Sequence, residues 1–131
     1  VEHAAIGTVV AGLGVLALAP AYPPATLVAL FLAGVAGSVL VDLDHFPIVW
    51  ALAGDRAALG RALADPPRAL TDPEYVFPHT EFPWVRIASH LLLGGALAAA
   101  AATADPRLAA YVLALLGAHV GADLLRDHEL A

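Results

Sequence analysis

The sequence contains no cysteine and no lysine. Without cysteine there are no disulfides and no thiolate ligands, so a metal site would have to be built from histidine, carboxylates and water. Without lysine, all six basic side chains are arginine. Methionine is missing as well, and an initiator is expected to have been removed or to lie outside these 131 residues. Charge of either sign is scarce. Charged residues make up 14% and hydrophobic residues 60%, against about a quarter charged and about half apolar in soluble domains. A soluble chain this short could not hide so much apolar surface in one core, whereas a bilayer removes the need to hide it. The net charge of −6 excludes a basic patch able to neutralise phosphates, so no nucleic-acid partner is expected. The length fits a single domain covering residues 1–131.

Four apolar segments are present, at residues 4–19, 25–41, 85–104 and 108–125. Their lengths lie near or slightly below the ~20 residues of a spanning helix. The first is not read as a signal-peptide core, because Glu2 and His3 precede it in place of a basic stretch. The pattern predicts an all-α integral membrane four-helix bundle. Short turns at 20–24 and 105–107 join the helices within each pair, and a long loop, 46–84, joins the second helix to the third. That loop is expected to hold an amphipathic helix at 55–64 and then to be irregular, since Pro66, Pro67, Pro73, Pro78 and Pro83 forbid a continuous helix. Trp50, Tyr75, Phe77, Phe82 and Trp84 suit an interfacial aromatic belt. Four spans put both termini and the long loop on one side, with Arg56, Arg61, Arg68, Arg86 and Arg126; the other side has only Arg107. The positive-inside rule makes the first side cytoplasmic, in the cell (inner) membrane.

The remaining ionisable residues follow a pattern that hydrophobicity does not require. His3 precedes the first helix, Asp42, Asp44 and His45 close the second, His90 lies about one turn inside the third, and His119 and Asp123 lie late in the fourth. All map to the same membrane face. His119 and Asp123, at i and i+4, project from one side of a helix, and Asp42 and His45, at i and i+3, can do the same. Asp44 cannot share the face of Asp42 on a regular helix, so one of the two is off the main site or bridging. Imidazole plus carboxylate is the donor set for zinc or a comparable divalent ion. Acids and imidazoles crowded at the edge of a bilayer repel or desolvate one another unless a cation unites them. His79, Glu81, Asp127, His128 and Glu129 form a second tier, with His79 foremost. Gly117 and Gly121 make a small-xxx-small pair pointing away from His119 and Asp123, a face for a neighbouring helix or a second subunit. Gly34 with Ser38 repeats the pattern, and Gly94 and Gly95 allow close approach below His90.

Taken in order, His3-Ala4-Ala5-Ile6-Gly7, Val41-Asp42-Leu43-Asp44-His45, Ser89-His90-Leu91-Leu92 and His119-x-x-x-Asp123 resemble the YdjM-like membrane-bound metal-dependent hydrolases across nearly the whole chain. That family is regarded as related to zinc-dependent phospholipase C and to single-strand nucleases of similar helical fold, and the resemblance implies phosphoester chemistry. The chain departs from the family pattern in two places. A second histidine shortly before His90 is missing, the nearest being His79, which leaves the number of ions open. Val41 stands before Asp42 where proline is common.

The expectation is a metal-dependent hydrolase acting at headgroup depth on a phosphoester of a lipid or other amphipathic substrate. His90, His119, Asp123, Asp42 and His45 are the expected ligands of a divalent, zinc-type ion, with His3 a further candidate. Asp44 would bridge two ions or act as general base, and Arg86 would clamp an anionic group. One rival reading is a non-catalytic metal-binding or structural membrane subunit. Another is a transporter with the same residues as a cation relay, against which polar groups at only one face argue.

Overall fold

The computed structural model describes residues 2–78 and 83–129, without the side chains of residues 2, 3, 70, 73, 83 and 126–129. Among the described residues every regular element is helical. They are α1 (Glu2–Leu18), α2 (Pro24–Leu40), a 3-10 turn (Val41–Asp44), α3 (His45–Ala53), α4 (Ala58–Ala64), α5 (Pro66–Thr71), α6 (Pro73–Val76), α7 (Pro83–Ala104) and α8 (Pro106–Glu129).

Two short helices, Pro66–Thr71 and Pro73–Val76, therefore stand where irregular chain was expected, and that expectation is corrected there. Proline ends one helix but starts the next, because its missing N–H and fixed φ suit the first helical position. Pro66, Pro73, Pro83 and Pro106 each open a helix in this way. Local side chains complete the ends. The Asp65 carboxylate accepts from the Arg68 N–H at 3.2 Å and so caps α5. Gly54 closes α3 with φ at 70°, and its N–H donates to the Trp50 carbonyl at 3.1 Å. The helix expected at 55–64 begins only at Ala58, because the Asp55 carboxylate accepts from the Ala57 N–H at 2.9 Å and holds the chain in a turn. Arg61 pairs with Asp55 and donates to the Val76 carbonyl, 3.0 Å from Nε, tying α4 to α6.

Two helical hairpins position the site. α1 packs on α2 and α7 packs on α8, while α8 also touches both α1 and α2. Small residues set these approaches. A Cβ at Gly7 would overlap the Ser38 side chain, and one at Gly34 would overlap the Tyr111 hydroxyl, which donates to the Leu30 carbonyl at 2.8 Å. Gly94 makes room for Leu116 in the same way, whereas Gly95, Gly117 and Gly121 face no neighbour within 4 Å. At the turn end, the Tyr22 hydroxyl beside α2 donates to Asp105 between α7 and α8, so the two hairpin turns are joined directly. That bond holds the Asp105 carboxyl below the usual carboxylate range.

Three segments are long and apolar enough to cross a membrane: Pro24–Ala53, Trp84–Ala104 and Pro106–Leu125. α1 is a shorter apolar helix, Ala4–Leu18. Their outward faces are strongly apolar, with Leu16 71%, Leu92 75% and Leu125 70% exposed. Isolated exposed leucines are ordinary, but leucines at this density around every long helix are not the surface of a water-facing domain.

Candidate metal centre

Where α2 ends, the chain tightens into the 3-10 turn Val41–Asp44, which packs against α7. At three residues per turn, Asp42 and Asp44 point about 120° apart around the turn axis. They reach His90 from opposite sides. Asp42 Oδ1 lies 3.3 Å from His90 Nε2, and Asp44 Oδ2 lies 2.9 Å from His90 Nδ1. Because α7 begins at Pro83, His90 sits two turns inside the helix rather than one. On α8, His119 and Asp123 share a face as their spacing requires. His119 Nε2 is 3.3 Å from Asp42 Oδ1 and 3.6 Å from Asp123 Oδ2, and Asp123 Oδ2 is 3.7 Å from His90 Nε2. His90 and Asp123 are fully buried and His119 is 4% exposed.

The outer nitrogens of both imidazoles are engaged. A backbone carbonyl only accepts, so His119 Nδ1–H donates to Ser38 O at 3.1 Å. Likewise His90 Nδ1–H donates to the Asp44 carboxylate. These bonds fix the tautomers and turn both Nε2 lone pairs inward, the arrangement typical of metal-ligating histidines. The Ser89 hydroxyl lies between Asp44 Oδ2 (2.5 Å) and the Arg86 carbonyl (2.7 Å), steadying Asp44 in turn.

Asp42, His90, His119 and Asp123 thus present four donor atoms all within 4.8 Å of one another, a group that could hold a metal ion. Four donors at ~2.0–2.2 Å from an ion in tetrahedral array are about 3.3–3.6 Å apart. Four of the six donor separations are given above, and at 3.3 to 3.7 Å they lie close to that edge length. Charge agrees as well. Asp42, Asp44 and Asp123 surround the two imidazoles, and Arg86, its Nε 3.5 Å from Asp123 Oδ2, is a cation beside them. Three carboxylates and one guanidinium leave two negative charges, which a divalent cation offsets.

Asp44, His45 and His90 form a second group of donors within the same limit. A neutral imidazole has one lone pair. His90 therefore cannot serve both groups, and its Nδ1–H is already given to Asp44. His45 is turned toward the chain itself, Nδ1 donating to the Asp42 carbonyl at 2.7 Å, with its ring edge-on to His90 at 5.5 Å between centroids.

No family model, curated protein or solved structure matches this chain. The site is therefore read from its own geometry. Of the expected ligands, Asp42, His90, His119 and Asp123 converge, while His45 stands in the neighbouring group. Arg86 lies against Asp123, and Asp44 lies behind His90. The His3 side chain and the whole of His79 fall outside the described residues. Sequence reasoning gave no role to the Ser38 carbonyl or to Ser89. Ser89 directly precedes His90, the one hint in the sequence. The Ser38 contact joins positions 81 apart in the chain and carries no local signal.

Proposed function

We propose that this chain is a membrane-embedded metal-dependent hydrolase. In this reading α1, α2, α7 and α8 form a four-helix membrane bundle. Asp42, His90, His119 and Asp123 hold a divalent ion of zinc type, and the substrate is a phosphoester of a lipid or other amphipathic molecule. The excess of arginine on the side of the termini supports a site at the cytoplasmic face. The observation that carries the reading is the convergence of four buried or half-buried donors whose two imidazoles are each held from behind by an acceptor. Ionisable side chains at membrane depth cost ~2.5–3.5 kcal/mol each on insertion scales, and bundles tolerate them where they pair or serve a function.

A divalent ion held there supplies Lewis-acid polarisation of a phosphoryl oxygen and activation of water. The protein residues orient and neutralise. Ser38 O and Asp44 hold the imidazoles, and Arg86 offsets carboxylate charge and stands where an anionic group would arrive. Asp42, with its side chain a third exposed, is the most exposed of the four donors.

A second reading rests on the number of donors. Four protein ligands fill a tetrahedral ion, and closed sites of that kind are structural. A non-catalytic metal-binding subunit would then result. The experiment that separates the two uses the protein in nanodiscs, with elemental analysis and a panel of lipid phosphoesters. The hydrolase reading expects stoichiometric divalent metal, turnover that stops on chelation, and turnover that returns on re-addition of zinc. Stoichiometric metal with no turnover of any phosphoester would establish the structural reading instead. Protein that carries neither metal nor activity would remove both.

A further inference from the structure

Among the described residues α2 and α7 do not pack on one another, although each packs on α8. The space between them is a groove of about 580 Å³, floored by α8. Leu40, Leu43, Leu93, Leu97, Val112 and Leu116 give it apolar walls. Of its few polar linings, the Tyr111 hydroxyl is bonded to the Leu30 carbonyl and the Ser38 hydroxyl to the Val35 carbonyl. The other two are Asp44 and His119, and both lie at one end. The groove therefore stops at the candidate metal centre.

Its dimensions restrict what fills it. From Tyr111 to His119 along α8 is about 12 Å at 1.5 Å per residue, and from Ala33 to Asp44 along α2 and the 3-10 turn, which rises ~2.0 Å per residue, is about 18 Å. One leaflet contributes about half of the ~30 Å hydrocarbon core. The groove thus runs from the metal centre roughly to the bilayer midplane. A volume of about 580 Å³ over ~12 Å corresponds to a cross-section of roughly 50 Å², well below that of a helix ~10–12 Å across with its side chains. A helix of a second copy would not enter, whereas a hydrocarbon chain would.

We infer that the groove between α2 and α7 seats the hydrocarbon chain of a lipid phosphoester drawn sideways from one leaflet, with its phosphate at the metal centre. This inference rests on the hydrolase reading above and names the substrate side of that site. Lipid tails are as apolar as the leucines that line the groove, so seating a chain there gains little hydrophobic free energy. What the groove supplies is position: a chain lying along it delivers its headgroup to His119 and Asp44 at fixed depth, where an ångström of misplacement is costly. Gly37 lines the groove, and a Cβ there meets nothing within 4 Å. A side chain at that position can therefore start into the groove without a clash at its Cβ.

The test uses full-length protein in nanodiscs containing a phosphatidic acid with a diazirine midway along its acyl chain. Photolysis is expected to label groove residues such as Leu93, Leu97 and Val112 far above the bilayer-facing Leu13 and Leu16 of α1. Gly37→Phe should cut groove labelling and lipid turnover by roughly tenfold or more. Metal content and hydrolysis of soluble bis(p-nitrophenyl) phosphate should stay unchanged. Leu97→Trp, at an exposed position in the same wall, repeats the test should Gly37→Phe not fold. Labelling spread evenly over all exposed leucines, or groove labelling indifferent to both variants, overturns the inference. Photo-crosslinks from Leu97 to a second copy overturn it too. Groove labelling that responds to the variants in protein without phosphoester turnover keeps the chain site and rejects the hydrolase reading.

Discussion

His119→Ala is expected to leave a helical, membrane-inserted protein that has lost both its metal and its hydrolysis of lipid phosphoesters. The substitution removes one of four donors and leaves Asp42 and Asp123 beside a single remaining imidazole. Removal of an outer-shell partner typically costs 10–100-fold in metal affinity or activity. Loss of a direct ligand should exceed that range, taking turnover down by well over about 100-fold. Folding should survive, because alanine is the best helix former and α8 keeps its packing on α7, α1 and α2. The Ser38 carbonyl loses its bond from His119 Nδ1, which costs about 1–3 kcal/mol if nothing replaces it. The measurements are elemental analysis, helical circular dichroism and turnover on the same preparation. A variant that keeps full metal and full activity would show that His119 is not a ligand.

The second large effect is expected for Asp44→Asn. Asp44 Oδ2 is taken up by His90 Nδ1 and the Ser89 hydroxyl, so the geometry makes it a positioning residue that holds His90 in the ligating tautomer. Asparagine keeps the shape but replaces a charge-assisted acceptor with a neutral one, a bond about half as strong. Zinc affinity should fall 10–100-fold, with turnover low in ordinary buffer and largely restored when zinc is titrated to saturation. Ser89→Ala should move zinc affinity in the same direction by less. If activity remains lost at saturating zinc while binding is complete, Asp44 takes part in proton transfer itself, as a general base would.

Much of this was readable from residue order alone, and the reasons are local. His119 and Asp123 converge because a helix brings i and i+4 together whatever surrounds it. The long apolar segments reveal themselves by length and hydropathy. His90 could be assigned to the same end of the molecule by counting turns, although its depth was misjudged because Pro83 starts α7 instead of breaking it. The less legible features depend on backbone changes or on tertiary packing. Nothing in Val41-Asp42-Leu43-Asp44 announces a switch from α to 3-10 winding, yet that switch puts Asp42 before His90 and Asp44 behind it. His45 was grouped with Asp42 by i, i+3 spacing, and its Nδ1 does bond the Asp42 carbonyl, but its ring stands with Asp44 and His90 in the neighbouring group. The groove exists because α2 and α7 fail to meet, and the hydropathy of either helix by itself cannot express that.

The donor set is divided between the two hairpins. Asp42 belongs to the α1–α2 half, whereas His90, His119 and Asp123 belong to the α7–α8 half. Each hairpin can insert and close through its own neighbouring contacts, early and with little loop-closure cost. Neither holds a complete coordination sphere. A cation held there would be bound more tightly once the halves have docked, and its binding free energy would add to the stability of the docked state. An ion so held would act as a clasp on the last step of assembly. In metal-starved cells the halves would separate more readily while each hairpin stays inserted, leaving the carboxylates of a parted site as the exposed mark of an unfinished molecule.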